Sequence, residues 1–407
     1  KGEVSISGSK NAALPILAST ILFDKPVELN NLPNVRDVQT MISLLKSLGS
    51  KISISKNKKK IKIFNPKKMK TFASYNLVKT MRAGILVLGP LLSKHRKSLV
   101  SLPGGCSLGT RPINYHLKAL TKLGAKHKII KGYVHAKANN GLVGTTIKFP
   151  NISVGATENL IIAATLAKKR TILKNCAIEP EIKDLVNFLN LAGGKLKWIG
   201  KRTIQIDGVK FLNGVNYSIM NDRIEAGTWL IAAALTEGSL RIGKINPKII
   251  QTEINILKKI GAKIKIENDE IIIRGNKNIK NINLKTEVYP GFPTDLQAQI
   301  MVLLCKAKGR SSIIENIFEN RYMHVAELRR LGAKIKIKDD KSIIEGNSIL
   351  QGAELMSTDL RASVSLVLAA IASKGKSIIN RIYHLDRGYE KIEKKLVNVG
   401  VKIRRIK

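Results

Sequence analysis

The chain has 407 residues, 44% of them hydrophobic and 4% aromatic, which suits two or three globular domains. Its longest apolar runs, such as AGILVLGPLL at 83–92, are too short to span a bilayer. Lys and Arg number 71 against 29 Asp and Glu, a net charge of +42, but the lysines are dispersed among Ile and Asn without interleaved aromatics. That dispersal argues against nucleic-acid binding as the main function; it resembles a compositional drift towards A/T-rich codons and leaves a positive field that draws in anionic small substrates.

The start carries no charged-then-apolar leader and no methionine, so the expectation is a few native residues ahead of Lys1. Cys106, Cys176 and Cys305 are an odd number at wide spacing, which points to neither a disulfide framework nor a zinc site but to a reduced, cytoplasmic protein. The six histidines are scattered without ligand spacing, so no metal is expected. No GxxxxGK[ST] occurs, so no nucleotide hydrolysis is implied.

In chain order, a strand (EVSISG, 3–8) precedes a helix apolar nearly all round (KNAALPILASTILF, 10–23). An amphipathic helix follows (DVQTMISLLKSLG, 37–49), whose terminal Gly suits a left-handed cap. The closing phrase SLGSK returns as KLGAK (122–126), LAGGK (191–195), KIGAK (259–263), RLGAK (330–334) and NVGVK (398–402). The period is about 70 residues, longer than in a solenoid. Alternating strands follow each copy, as in KIKIENDEIIIRG at 263–275, where Asn268 and Asp269 sit at a hairpin turn. Further buried helices are expected at 158–169, 224–238, 295–309 and 359–375. Six units must bury their apolar faces against copies of themselves. Two groups of three give one domain over 10–220 and another from 1–9 plus 221–407, with the ligand expected in the cleft between them.

The stretch SLPGGCSLGTRPINYH (101–116) is a Gly- and Pro-rich loop. Its composition leaves two roles for Cys106 open: an idle surface thiol, or a reactive thiol on a lid with Arg111 favouring the thiolate. Asp295 reads alone either as a helix cap or as a catalytic carboxylate.

Eight segments in order carry a resemblance over essentially the whole chain. They are KTMRAG (79–84), SLPGGCSLGTRP (101–112), SVGATEN (153–159), DRIEAGT (222–228), FPTDLQAQ (292–299), FENRYMH (318–324), TDLRAS (358–363) and DRGYEKI (386–392), after GSKNAAL at 8–14. The sequence resembles the UDP-N-acetylglucosamine 1-carboxyvinyltransferases (enolpyruvyl transferases) of the EPSP synthase superfamily. The resemblance implies an α/β fold: a two-domain inside-out α/β barrel of six βαβαββ-type units, with buried helices and outer sheets. It implies transfer of enolpyruvyl from phosphoenolpyruvate to the 3-hydroxyl of UDP-N-acetylglucosamine, with release of phosphate, as the first committed step of peptidoglycan precursor synthesis.

The same resemblance implies the site. Lys10, Asn11, Arg111, Arg361 and Arg387 hold phosphoenolpyruvate, whose two anionic groups call for forked cations. UDP-N-acetylglucosamine is held by Arg82, by Arg111, Pro112, Ile113, Asn114 and Tyr115, by Asn151, Ile152, Ser153 and Val154, and by Asp295 and Ile317. Some family members carry a lysine at the Asn151 position, so that contact is weaker here. Cys106, Asp295, Lys10 and Arg387 are the implied catalytic residues. Asp295 acts on the sugar hydroxyl, and Cys106 donates a proton and is the thiol alkylated by fosfomycin. Glu319, Arg321 and Asp359 support them. His116 reads as a structural hydrogen bond, and Trp198 and Trp229 as packing. The partners are the two small-molecule substrates, with no cofactor, no required nucleic acid and no membrane insertion; the oligomeric state is left open.

Overall fold

The computed structural model describes residues 1–104 and 113–406. It divides into two compact units, one built from Gly8 to Met220 and the other from Lys1–Ser7 together with Asn221 onward. The chain thus passes between units after Ser7 and again after Met220.

The first unit repeats one motif three times. Its buried helices are Lys10–Ser19, Leu88–His95 and Val154–Ala164, and its amphipathic helices are Arg36–Leu48, Asn114–Lys122 and Pro180–Leu191. The second unit does the same with Arg223–Leu235, Gln297–Cys305 and Leu360–Ala372, and with Gln251–Ile260, His324–Arg330 and Ile392–Asn398. Each unit has its own continuous hydrophobic core. The helix at Leu88–His95 is absent from the sequence reading. Gly84, Gly89 and Pro90 interrupt its helical pattern, yet Gly89 is needed. Its N–H donates to Asn159 Oδ1 at 2.9 Å, and a Cβ there would lie 2.1 Å from that oxygen.

All six recurring Gly residues (49, 124, 193, 261, 332 and 400) have φ between 93° and 115°. Each closes its helix with the same pair of bonds. At the first, the Gly49 N–H donates to Lys46 C=O and the Ser50 N–H to Leu45 C=O. At the last, Gly400 and Val401 do so to Val397 and Leu396. This is the paired bonding of a Schellman cap, and after the first five helices it turns the chain straight into the next strand.

Among the described residues five sheets have four strands in one order: a leading strand parallel to the second, then an antiparallel hairpin whose first strand lies at the edge. In the first unit Val215–Ser218 pairs in parallel with Val27–Asn30, so the unit's last strand completes its first sheet. In the second, Gly2–Ser5 pairs with Ser239–Gly243. Asn268 and Asp269 both take positive φ between paired strands, as a type I′ turn requires. The sixth sheet differs from the expected unit: it holds two strands, Glu354–Met356 and Ile378–Asn380, and residues 401–406 form none. The edge strands begin at Lys51, Lys126, Lys195, Lys263 and Lys334, and each puts that lysine on an exposed face. Among the described residues no helix is long and apolar enough to cross a membrane.

Candidate active site

In the second unit the site is built on helix starts. Asp295 lies in a 3₁₀ turn, Thr294–Leu296, that feeds the buried helix Gln297–Cys305. Its oxygens each accept from an arginine: Oδ1 from Arg321 Nη2 at 3.0 Å and Oδ2 from Arg361 Nη2 at 2.7 Å. Both arginines are buried at 4% exposure, whereas the Asp295 side chain keeps 27%. A carboxylate between two desolvated guanidiniums is fixed in one orientation.

Arg361 stands in the first turn of Leu360–Ala372, which Asp359 caps by accepting from the Arg361 and Ala362 N–H groups at 2.8 and 3.0 Å. Asp359 thus holds the backbone from which the Arg361 side chain projects. Burial works against the charge of Arg361, but Asp295, Tyr389 and Asp222 outweigh it and hold the guanidinium above its usual pKa. His324, fully buried near Asp359 and Arg321, is pushed down to about 4, chiefly by burial.

Glu319 is exposed. The buried carboxylate of this segment is Glu315, which sequence reasoning missed. It accepts from Thr294 Oγ1 at 3.0 Å and from the N–H groups of Ile317 and Phe318 at 2.9 and 3.2 Å, tying the loop to the Asp295 turn. Its place directly after the strand Arg310–Ile314 was the one signal in the sequence. Ile317 lines an open groove with Thr286, Phe292 and Asn316. Arg387 is half-buried at the end of the 3₁₀ turn Ile382–Arg387.

In the first unit Lys10 opens the first buried helix, capped by Ser9 Oγ, which accepts from the Ala12 N–H at 3.3 Å. Lys10 Nζ reaches Asp37 Oδ2 at 3.4 Å, both nearly buried. Asn11 is half-buried beside it. Arg82 starts the 3₁₀ turn Arg82–Val87. His116 is buried and bonded to Asn159 Nδ2 through Nδ1 at 3.0 Å; burial, then Arg82, push it down to about 3. It is the structural histidine the sequence suggested. Ile113 is buried and Asn114 exposed at the start of their helix. The Asn151 amide donates to Tyr115 Oη at 2.8 Å, joining two of the segments assigned to the nucleotide. Ser153 caps Val154–Ala164, with Ile152 half-buried before it and Val154 exposed.

Cys106, Arg111 and Pro112 lie outside the described residues. Cys176 and Cys305 are buried, and burial pushes both thiols up to about 12, so neither is a nucleophile at neutral pH. Trp229 is buried and donates to Glu225 Oε1 at 3.4 Å, and Trp198 packs against the core; both are packing residues. Among the described residues no group of His, Cys, Asp and Glu could hold a metal ion.

The model of the family described as EPSP synthase (3-phosphoshikimate 1-carboxyvinyltransferase) matches residues 1–396. A UDP-N-acetylglucosamine 1-carboxyvinyltransferase of Pelagibacter ubique (strain HTCC1062) is 68% identical over 406 residues, covering 100% of this chain and 97% of its own. One from Coxiella burnetii (strain Dugway 5J108-111) is 48% identical, covering 100% and 93%. Among solved structures, the enolpyruvyl transferase NikO from Streptomyces tendae matches with a TM-score of 0.90 at 22% identity, over 99% of this chain and 96% of its own. EPSP synthase from Acinetobacter baumannii matches at 0.76 and 20% identity, over 98% and 95%. These two likenesses bear on the fold, which is that of the EPSP synthase-like enolpyruvyl transferases.

Proposed function

Because the chain belongs to the EPSP synthase family and, within it, to the UDP-N-acetylglucosamine 1-carboxyvinyltransferases, we propose that it transfers enolpyruvyl from phosphoenolpyruvate to the 3-hydroxyl of UDP-N-acetylglucosamine. The product feeds peptidoglycan precursor synthesis, and the reading takes the enzyme to be cytoplasmic. The observation that carries it is the Asp295 carboxylate gripped by the two buried guanidiniums of Arg321 and Arg361 at the start of a buried helix.

In this reading the reaction is an addition followed by an elimination. A proton reaches C3 of phosphoenolpyruvate while the sugar oxygen bonds to C2, and Asp295 takes or orients the hydroxyl proton. The C2–O bond to phosphate then breaks, C3 gives its proton back, and the enol ether and inorganic phosphate leave. Cys106 supplies the C3 proton. Arg361, Arg387, Arg111, Lys10 and Asn11 are the residues this reading gives to the phosphate and carboxylate. Arg82, Tyr115, Asn151 and Ile317 serve the nucleotide sugar. The step needs no redox cofactor, since no electrons leave the substrates.

The test is phosphate release from phosphoenolpyruvate with each acceptor in turn, without added metal. Release with UDP-N-acetylglucosamine alone is expected. Release only with shikimate 3-phosphate would keep the family chemistry and overturn the acceptor.

A further inference from the structure

We propose that Tyr389 and Thr228 are positioning residues that fix the direction in which Arg361 presents its guanidinium to Asp295. The inference deepens the reading above and rests on it. Neither residue carries a role in the reaction as described so far, and Tyr389 lies two positions beyond Arg387.

The hydrogen bonds around Tyr389 favour one direction. Thr228 Oγ1 donates to the Ile224 C=O one helical turn back, at 2.8 Å. Its single proton is therefore spent. Thr228 Oγ1 and Tyr389 Oη are 2.8 Å apart, so the tyrosine hydroxyl is the donor of that bond. With its proton committed to Thr228, Tyr389 Oη presents lone pairs to Arg361, whose Nη1 donates to it at 3.2 Å. Arg361 has no acceptor capacity and cannot reverse the chain. Its other terminal nitrogen, Nη2, is left aimed at Asp295 Oδ2 at 2.7 Å. A planar fork with Nη1 fixed cannot swing Nη2 away without breaking both bonds.

The relay is out of water. Thr228 is 1% exposed, Tyr389 3% and Arg361 4%. Burial holds the phenol above its ordinary pKa despite the opposing pull of Arg361, so it keeps its proton as a donor. Gln299 braces the same point: its Nε2 donates to the Asp295 C=O at 3.0 Å and lies 3.3 and 3.4 Å from the Thr228 and Tyr389 hydroxyls. Three elements are thereby cross-linked to the Asp295 turn: the helix Arg223–Leu235, the helix Leu360–Ala372 and the segment just after Arg387. Gly388 allows the close approach there, since a Cβ would lie 2.7 Å from Leu360 Cδ2.

The experiment compares Tyr389→Phe, Thr228→Val and the double variant with the unaltered enzyme, by phosphate release under saturating substrates and by thermal midpoint. Asp295→Asn is run alongside. Misaiming a reacting group without removing it costs on the order of tenfold in kcat. Tyr389→Phe is expected to lose about that much kcat while KM for UDP-N-acetylglucosamine stays within about twofold. Thr228→Val is expected to move kcat in the same direction, and the double variant to be no worse than Tyr389→Phe alone, because the two act through one bond. If Tyr389→Phe lowers the thermal midpoint but leaves kcat intact while Asp295→Asn is inactive, the positioning role is overturned and the catalytic reading stands. Additive losses in the double variant also overturn the relay. A fully active Asp295→Asn removes the reading of Asp295 and the relay with it.

Discussion

Asp295 and Asp37 each face a cation that the reading assigns to phosphoenolpyruvate, and they do so differently. Asp295 is met by two forked, buried arginines at 2.7 and 3.0 Å, whereas Asp37 meets the Lys10 ammonium at 3.4 Å. A guanidinium pair fixes a carboxylate in plane and direction; an ammonium on a four-carbon stem fixes only a point charge. The second unit thus supplies a preset carboxylate, and the first a cation whose aim is more easily changed by a ligand.

The strongest way to break this contrast is Arg361→Lys, which keeps the charge and loses the fork. Removing half of a buried ion pair typically costs about 3–5 kcal/mol, and the retained charge recovers only part of it. We expect kcat to fall by at least about a hundredfold, read as phosphate release. Activity within a few-fold of the unaltered enzyme would mean that charge alone holds Asp295.

Asp37→Asn sharpens the other side. The longer pair predicts a loss in kcat/KM for phosphoenolpyruvate of several-fold, well short of the Arg361→Lys loss. A larger effect than that of Arg361→Lys would reverse the comparison.

The smallest effect is one of pH. Each unit buries a histidine neutral, His116 at about 3 and His324 at about 4, against an ordinary value of 6.5. Between those values the unfolded chain binds a proton the folded chain refuses, so stability is whole above pH 6.5 and falls as pH drops towards 4. The slope is at most about 1.4 kcal/mol per pH unit per histidine. His116→Gln should flatten the fall in thermal midpoint between pH 6.5 and 4, and so should His324→Gln. An unchanged slope in both variants would place acid sensitivity elsewhere.

What the sequence made legible was local. A Gly whose φ must be positive announces itself within one helix end; its six copies carried the period and the caps, and the first five the hairpins that follow them. The helix Leu88–His95 was hidden because the residue that its packing on Asn159 demands, Gly89, is a helix breaker in isolation. Asp295 and Arg361 stood out through the motifs around them, but their partners did not. Thr228 and Tyr389 are 161 positions apart, and neither spacing nor period joins them. Glu315 was passed over for Glu319 because burial, which distinguishes the two, depends on how the loop returns over the Asp295 turn.

The lysine that opens each of five edge strands has a consequence in crowded solution. An unpaired strand edge is a template for a second molecule, and neighbouring strands in a sheet sit about 4.8 Å apart. Lys126 and Lys128, Lys195 and Lys197, Lys263 and Lys265, and Lys334 and Lys336 are exposed along such edges. Two edges brought to pairing distance would press these ammonium groups together inside the screening length of about 10 Å at 0.1 M salt. Colloidal stability is therefore tied to ionic strength, and concentrated salt removes the repulsion that keeps one molecule's sheets from adding to another's.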